Sequence, residues 1–316
     1  MEPEAQPAEA PLKYRRPPRC AQGPSLKSVR WAVRGIVVKE AARLRADMLE
    51  IGVPEGRFGG THTVSPRVTR IRAPKCLGQS YLPPMQIEKP VVIGRFQRRY
   101  KRFLTDVELE GGEVLVAHCP NTGSMKGCLE EGARVALRDS EDPKRKLRHT
   151  FQTIEVDGTW VNVDTGLPNA LAYEAVEMGL IPDLEGYDKL RREVKYGTGS
   201  RIDLLLEKET GERAYVEVKN TTLAEGTLAR FPDAVTTRGK KHLEELEKVV
   251  AEGHRGVMLF CVSREDVEAF SPADDIDPDY SQTLRRVAKN GVELLAYATK
   301  VTPTSFELAH RLEIRL

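Results

Sequence analysis

The stretch SRIDLLLEKETGERAYVEVKN, residues 200–220, constrains the fold more than any other part of the chain. Two arms rich in aliphatic and β-branched residues, RIDLLLE and AYVEVKN, flank Glu209-Thr210-Gly211. This suits a three-residue hairpin loop with glycine at the position that needs a positive φ. A loop centred on Thr210 pairs residues whose numbers sum to 420, so Asp203 faces Glu217. Directly opposed residues share a sheet face. Strand alternation adds Lys219 to that face and turns Val216 and Val218 away. An E-x-K in a half-exposed strand is ordinarily a solvated pair of little energetic weight. The functional alternative is a divalent-metal site. Mg²⁺ (or Mn²⁺) takes hard oxygen ligands and needs only one or two carboxylates, waters completing its octahedron. Asp203 and Glu217 are the metal-ligand candidates, with the Val218 carbonyl as a third, and Lys219 is the catalytic candidate that orients water against a phosphodiester.

The elements around this hairpin set the fold class. NALAYEAVEMGL has helical period, with Leu171, Glu174, Ala175 and Met178 on one stripe; Glu174 there is a buried carboxylate in need of a partner. TTRGKKHLEELEKVVAEG is a second helix, with His242, Leu243, Leu246, Val249 and Val250 on its inner face and Gly253 ending it. GVMLFCVS is a fully apolar strand of the kind buried between helices, and VELLAYAT reads as another. Residues 164–316 are thus expected to form an α/β domain with a mixed sheet. Residues 85–163 carry short strands and turns instead. GRFQRRYKRFLTDVELE runs into Gly111-Gly112 and EVLVAH, and TFQTIEV and TWVNV flank Asp157-Gly158, a strong two-residue turn. A small OB-like β-barrel is expected here.

The first 84 residues differ from the rest. They hold 11 of the 20 prolines and 15 Lys and Arg against 7 Asp and Glu, leaving 34 basic and 40 acidic residues beyond them. Three readings of this extension stand: a disordered Pro/Arg-rich segment, an organellar transit peptide (against which Glu2, Glu4 and Glu9 count), or a gene-model artefact ahead of a start at Met85. No apolar run approaches the 18 residues of a membrane span, so no membrane partner and a cytoplasmic location are the default expectations. Five cysteines without repeated spacing indicate reduced thiols.

Because the globular part is acidic on average, nucleic-acid binding must come from local patches. RFQRRYKRF sets Arg95, Arg98, Arg99, Lys101 and Arg102 among Phe96, Tyr100 and Phe103, a composition suited to tracking a nucleic-acid strand. Lys144, Arg145 and Lys146 form a barrel-loop cluster, LRREVKYGTGSR leads directly to Asp203, and Arg238, Lys240 and Lys241 open the helix after Lys219. Each stretch is equally readable as a solvated face. In HCPNTGSM, Asn121, Thr122, Gly123 and Ser124 either offer amides and hydroxyls to an anion or make an ordinary turn.

Together, GRFQRRYKRFLTDVELEGGEVLVAHCPNTGSM, LRREVKYGTGSRIDLLLE, AYVEVKNTTL, RFPDAVTTRGKKHLEEL and GHRGVMLFCVSREDVEAF closely resemble the sugar fermentation stimulation protein family, from about residue 91 to the C-terminus. The resemblance implies an OB-like domain joined to a PD-(D/E)xK nuclease-like domain. It also implies DNA binding, largely sequence-nonspecific, and a link to regulation of sugar (maltose) metabolism. By the same resemblance Asp203 looks like the metal-binding Asp, Glu217 and Lys219 like the E-x-K pair, and Glu174 like the helix carboxylate that often completes such sites. TTRGKKH departs from the family's TERGQKH at Thr237 and Lys240. Two functions follow: a divalent-metal-dependent nuclease, or a non-enzymatic DNA-binding regulator of sugar genes. RNA is a third possible partner.

Overall fold

The computed structural model describes residues 85–87, 89–197 and 199–316. The readings made for the first 84 residues lie outside the described residues. Strand β1 (Met85–Gln86) pairs antiparallel with a strand near the C-terminus, Met85 opposite Phe306, so the barrel proper begins at Val91.

The barrel comprises β2 (Val91–Tyr100), β3 (Leu104–Leu109), β4 (Val114–His118), β5 (Arg134–Asp139), β6 (His149–Val156) and β7 (Thr159–Asn162). The sheet runs β4-β3-β2-β5-β6-β7, and a parallel contact of His118 with Thr150 joins β4 back to β6. Inward residues of alternating strands, among them Phe96, Val107, Val135, Leu137, Phe151 and Ile154, fill the interior. Gly111, Gly112, Asp157 and Gly158 all take positive φ at the two expected turns. One expectation is corrected here. Residues 94–110 are not a single arm, because Lys101 and Arg102, at φ of 50° and 66°, turn the chain between β2 and β3. No glycine or asparagine marks that turn. Phe96 is not a stacking ring either; it is buried in the barrel against Phe151, ring centroids 6.1 Å apart.

Next come α1 (Leu167–Glu177), β8 (Lys189–Tyr196), β9 (Ser200–Glu207), β10 (Arg213–Thr221), β11 (Ala224–Glu225), β12 (Leu228–Phe231) and α2 (Thr237–Ala251). They are followed by β13 (Arg255–Val262), β14 (Ala269–Pro272), α3 (Pro278–Lys289), β15 (Glu293–Val301), β16 (Ser305–Arg311) and β17 (Glu313–Ile314). The main sheet runs β1-β16-β15-β13-β10-β9-β8, with β10, β13 and β15 mutually parallel and the remaining pairs antiparallel. A smaller sheet has the order β11-β12-β14-β17.

Helix α1 covers one face of the main sheet through Leu171, Ala172 and Ala175, which pack with Leu204, Val216 and Val218. Helices α2 and α3 cover the other through Leu243, Leu246, Leu284 and Val287, packed with Ile202, Leu205 and Met258. Burial on both faces explains why GVMLFCV carries no polar residue. The Thr236 hydroxyl caps α2 by accepting the Gly239 N–H at 3.0 Å. Among the described residues, no helix is long and apolar enough to cross a membrane.

Candidate active site

Cross-strand pairs Glu207–Arg213, Leu206–Ala214, Leu205–Tyr215 and Leu204–Val216 have the register expected from the Thr210 loop, and Gly211 takes φ +94°. The ladder stops one pair short of Asp203. At that point the strands part and a carboxylate takes over: Asp203 Oδ2 accepts the Val218 N–H at 2.8 Å. Face alternation also breaks there. Leu204 and Leu206 pack toward α1 whereas Ile202 packs with Leu205 toward α2. On the other side, Arg192–Leu204 and Val194–Ile202 pair normally, leaving Glu193 opposite Asp203 outside the ladder with φ +53°. A left-handed non-glycine residue costs on the order of 1–2 kcal/mol. This interruption opens the cleft.

The cleft encloses about 550 Å³ and is lined by Asn169, Glu193, Asp203, Glu217 and His242, with Gly199, Ser200, Arg201, Arg238 and Lys241 at its walls. Glu217 and Lys219 share the α2 side of the sheet. Lys219 Nζ lies 2.6 Å from Glu217 Oε1 and 3.1 Å from His242 Nδ1. His242 is 6% exposed, and its Nδ1 also bonds Glu217 Oε1. Since the Arg238 Nε–H donates to His242 Nε2 at 3.4 Å, Nδ1 carries the ring proton and is the donor to Glu217. Glu217, 3% exposed, keeps Oε2 without a partner among the described residues. On the other sheet face, Asn169 Nδ2 donates to Asp203 Oδ1 at 2.7 Å.

The electrostatics follow from burial and neighbours. Burial, then the Glu217 charge, pushes the Asp203 carboxyl up to about 6 despite the Val218 N–H and Lys219. Burial also opposes ionisation of Glu217. The His242 hydrogen bond and the Lys219 charge outweigh it and hold Glu217 below the usual carboxylate range. Asp203 and the bare Oε2 of Glu217 are the groups that fit a divalent cation; among the described residues no three His, Cys, Asp or Glu side chains converge in metal-holding geometry.

The structure sets Asp203 and Glu217 on the cleft and Lys219 on Glu217, although Lys219 is not among the lining residues; Glu174 is not with them. That assignment is corrected: Glu174 is half-buried and does not line the cleft, and α1 presents Asn169 instead. Five positions turn a helix about 140° past a full circle, so the two residues cannot face the same strand end. Asn169 and the polar role of His242 escaped sequence reading. Asn169 carried no signal. His242 did, as an imidazole on an otherwise aliphatic inner stripe.

The basic candidates divide. Arg238 and Lys241 line the cleft, whereas Lys240 does not and pairs with Asp279 at 3.5 Å, so the added cation of TTRGKKH is partly neutralised. Lys144, Arg145 and Lys146 are exposed on the β5–β6 loop, as are Lys101 and Arg102 on their turn. Arg95 donates to the Gly132 carbonyl, and Arg98 pairs with Asp106 at 2.8 Å with its guanidinium 5.1 Å from the half-buried Tyr100 ring. Arg99 is corrected to an internal brace: it donates to the carbonyls of Arg102, Asn121 and Gly123, each at 2.9 Å. The residue 121–124 turn is likewise occupied. The Ser124 hydroxyl and Met125 N–H donate to Asp233 Oδ2 at 2.9 and 2.8 Å.

Two family models match successive parts of the chain, the "SfsA N-terminal OB domain" over residues 98–163 and the "Sugar fermentation stimulation protein RE domain" over residues 166–305. A sugar fermentation stimulation protein homolog of Geotalea uraniireducens is 51% identical over 232 residues, 73% of this chain and 100% of that protein. The chain belongs to the sugar fermentation stimulation protein family. The homolog of Pelobacter propionicus is 54% identical over 227 residues, 72% of this chain and 98% of its own. A solved structure of Pyrococcus furiosus SfsA in complex with Ca²⁺ aligns with a TM-score of 0.68 at 27% identity, covering 74% of this chain and all of that one. Over the matched residues this family member thus has an OB domain followed by the RE domain, whose mixed sheet is flanked by α1 on one face and α2 and α3 on the other.

Proposed function

We propose that the protein is a divalent-metal-dependent nuclease that cleaves phosphodiester bonds of DNA. The observation that carries this reading is the state of Glu217. One carboxylate oxygen is held by His242 and Lys219 while the other is buried and bare, beside an Asp203 that burial and Glu217 make reluctant to ionise. A bare buried charged oxygen costs several kcal/mol by order of magnitude. A cation held by Asp203 and Glu217 removes that cost. When bound, it supplies Lewis-acid activation of the phosphoryl group and an acidified water. The chain's own groups do the rest. Asn169 and the Val218 N–H fix Asp203, and His242 fixes Glu217. Lys219 Nζ, anchored on Glu217 Oε1, orients the attacking water and offsets charge developing on the phosphate. That the Pyrococcus furiosus relative was solved with Ca²⁺ supports a divalent-cation site.

The second reading, a non-enzymatic DNA-binding regulator, is favoured by one observation: α1 offers an amide, Asn169, where nuclease sites often have a carboxylate. Cleavage of duplex and single-stranded DNA, with RNA as competitor, in Mg²⁺ or Mn²⁺ separates the two. Metal-dependent cleavage that is abolished in Asp203→Ala and Lys219→Ala establishes the nuclease. Binding without cleavage on every substrate supports the regulator.

A further inference from the structure

The β8–β9 hairpin carries a charge arrangement that folding does not explain. Lys195 and Arg201 are directly opposed across the two strands, both are exposed, and neither has an ion-pair partner among the described residues. Like charges directly opposite each other destabilise a sheet, their Cβ atoms being only about 5 Å apart. Nearby cations are satisfied differently: Arg191 pairs with Glu207 at 2.8 Å and Arg192 lies over the Tyr173 ring. The opposed pair stands at the rim of the acidic cleft, which Arg201 lines, and β8 is the free edge of its sheet.

The cleft's remaining lining tells what kind of polyanion it suits. Arg238 and Lys241 add positive charge from α2, and the lining contains no Phe, Tyr or Trp. Recognition of single strands without sequence preference relies on aromatic side chains that stack on splayed bases. A surface of cations without rings instead contacts phosphates and leaves the bases stacked in the helix. We infer that the β8–β9 hairpin, through Lys195 and Arg201, clamps the phosphate backbone of duplex DNA across the acidic centre. The inference rests on the nucleic-acid part of the proposed function.

The test is fluorescence anisotropy on the full chain with Ca²⁺ present. A duplex and a single strand of equal length are titrated over a range of salt, for the wild type and for Lys195→Ala/Arg201→Ala. The wild type is expected to bind the duplex more tightly. Loss of two phosphate contacts should flatten the slope of log affinity against log salt by about 2, since each contact contributes about 0.9. The thermal midpoint should stay the same or rise, because the substitution relieves repulsion. A weakened variant with an unchanged or higher midpoint supports the clamp. Equal duplex affinity and slope in the variant, or tighter single-strand binding by the wild type, overturns the clamp while leaving nucleic-acid binding intact. Absence of binding to either substrate by the wild type overturns the clamp and the proposed function together.

Discussion

At the scale of single residues, the Asp203 carboxylate costs the fold stability at neutral pH. Its carboxyl is pushed from 3.8 to about 6 by burial and by Glu217, so between those values the folded state holds the proton that the unfolded chain has lost. Its favourable contribution is complete below the unfolded value and disappears as pH rises through the folded one. From pH 5 to pH 7 that loss is on the order of 1 kcal/mol. Calorimetry in EDTA should show the wild type losing this stability relative to Asp203→Asn, whose curve lacks the step. The asparagine retains an acceptor for the Val218 N–H, and a flipped Asn169 amide can receive its NH₂ group. Adding Mg²⁺ or Ca²⁺ should remove the wild-type step and leave the variant unmoved. If the two pH curves coincide, Asp203 is not the strained group.

At the scale of elements, the β2–β3 hairpin shows why a run of arginines is not a uniform binding surface. Two left-handed non-glycine residues turn the chain, and Arg99 holds the result by bonding the carbonyl of Arg102 and those of the neighbouring 121–124 turn. Arg99→Ala should therefore cost about 2–3 kcal/mol of stability, read as a lowered denaturation midpoint. Lys146→Ala, on an exposed loop, should leave that midpoint in place. Equal midpoints in the two variants would return Arg99 to the binding surface. Much of this domain was readable from its chain. Gly111-Gly112 and Asp157-Gly158 announced their turns, because positive φ selects those residue types. Lys101-Arg102 did not, since its conformation is imposed by the barrel around it.

At the scale of the whole molecule, the barrel and the domain that follows it are joined by a specific latch. Asp233, between β12 and α2, receives the Ser124 hydroxyl and the Met125 N–H, and Met125 is fully buried in the barrel core. Other links cross at Gln152, whose amide donates to the Pro303 carbonyl, and at Asn162, whose N–H donates to Ser263. Asp233→Ala leaves the Met125 amide unpaired, at an expected cost of about 1–3 kcal/mol. Hydrogen exchange should quicken across residues 119–128 while β10 and β13 keep their protection. Uniform exchange in the variant and the wild type would show that the latch contributes nothing.

The sequence by itself determined what depends on neighbours in the chain. These are the hairpin register, set by a three-residue loop; the meeting of Glu217 with Lys219, set by strand alternation; and the helices, set by their apolar period. Tertiary structure alone decided what spans layers. Asn169 reaches Asp203 across 34 residues and His242 reaches Glu217 across 25, both through the packing of helices onto opposite faces of one sheet. Periodicity tells which residues of a helix share a side, but only packing fixes which side meets the open end of β9. For that reason the chain announced a carboxylate at Glu174, and the fold supplied an amide at Asn169.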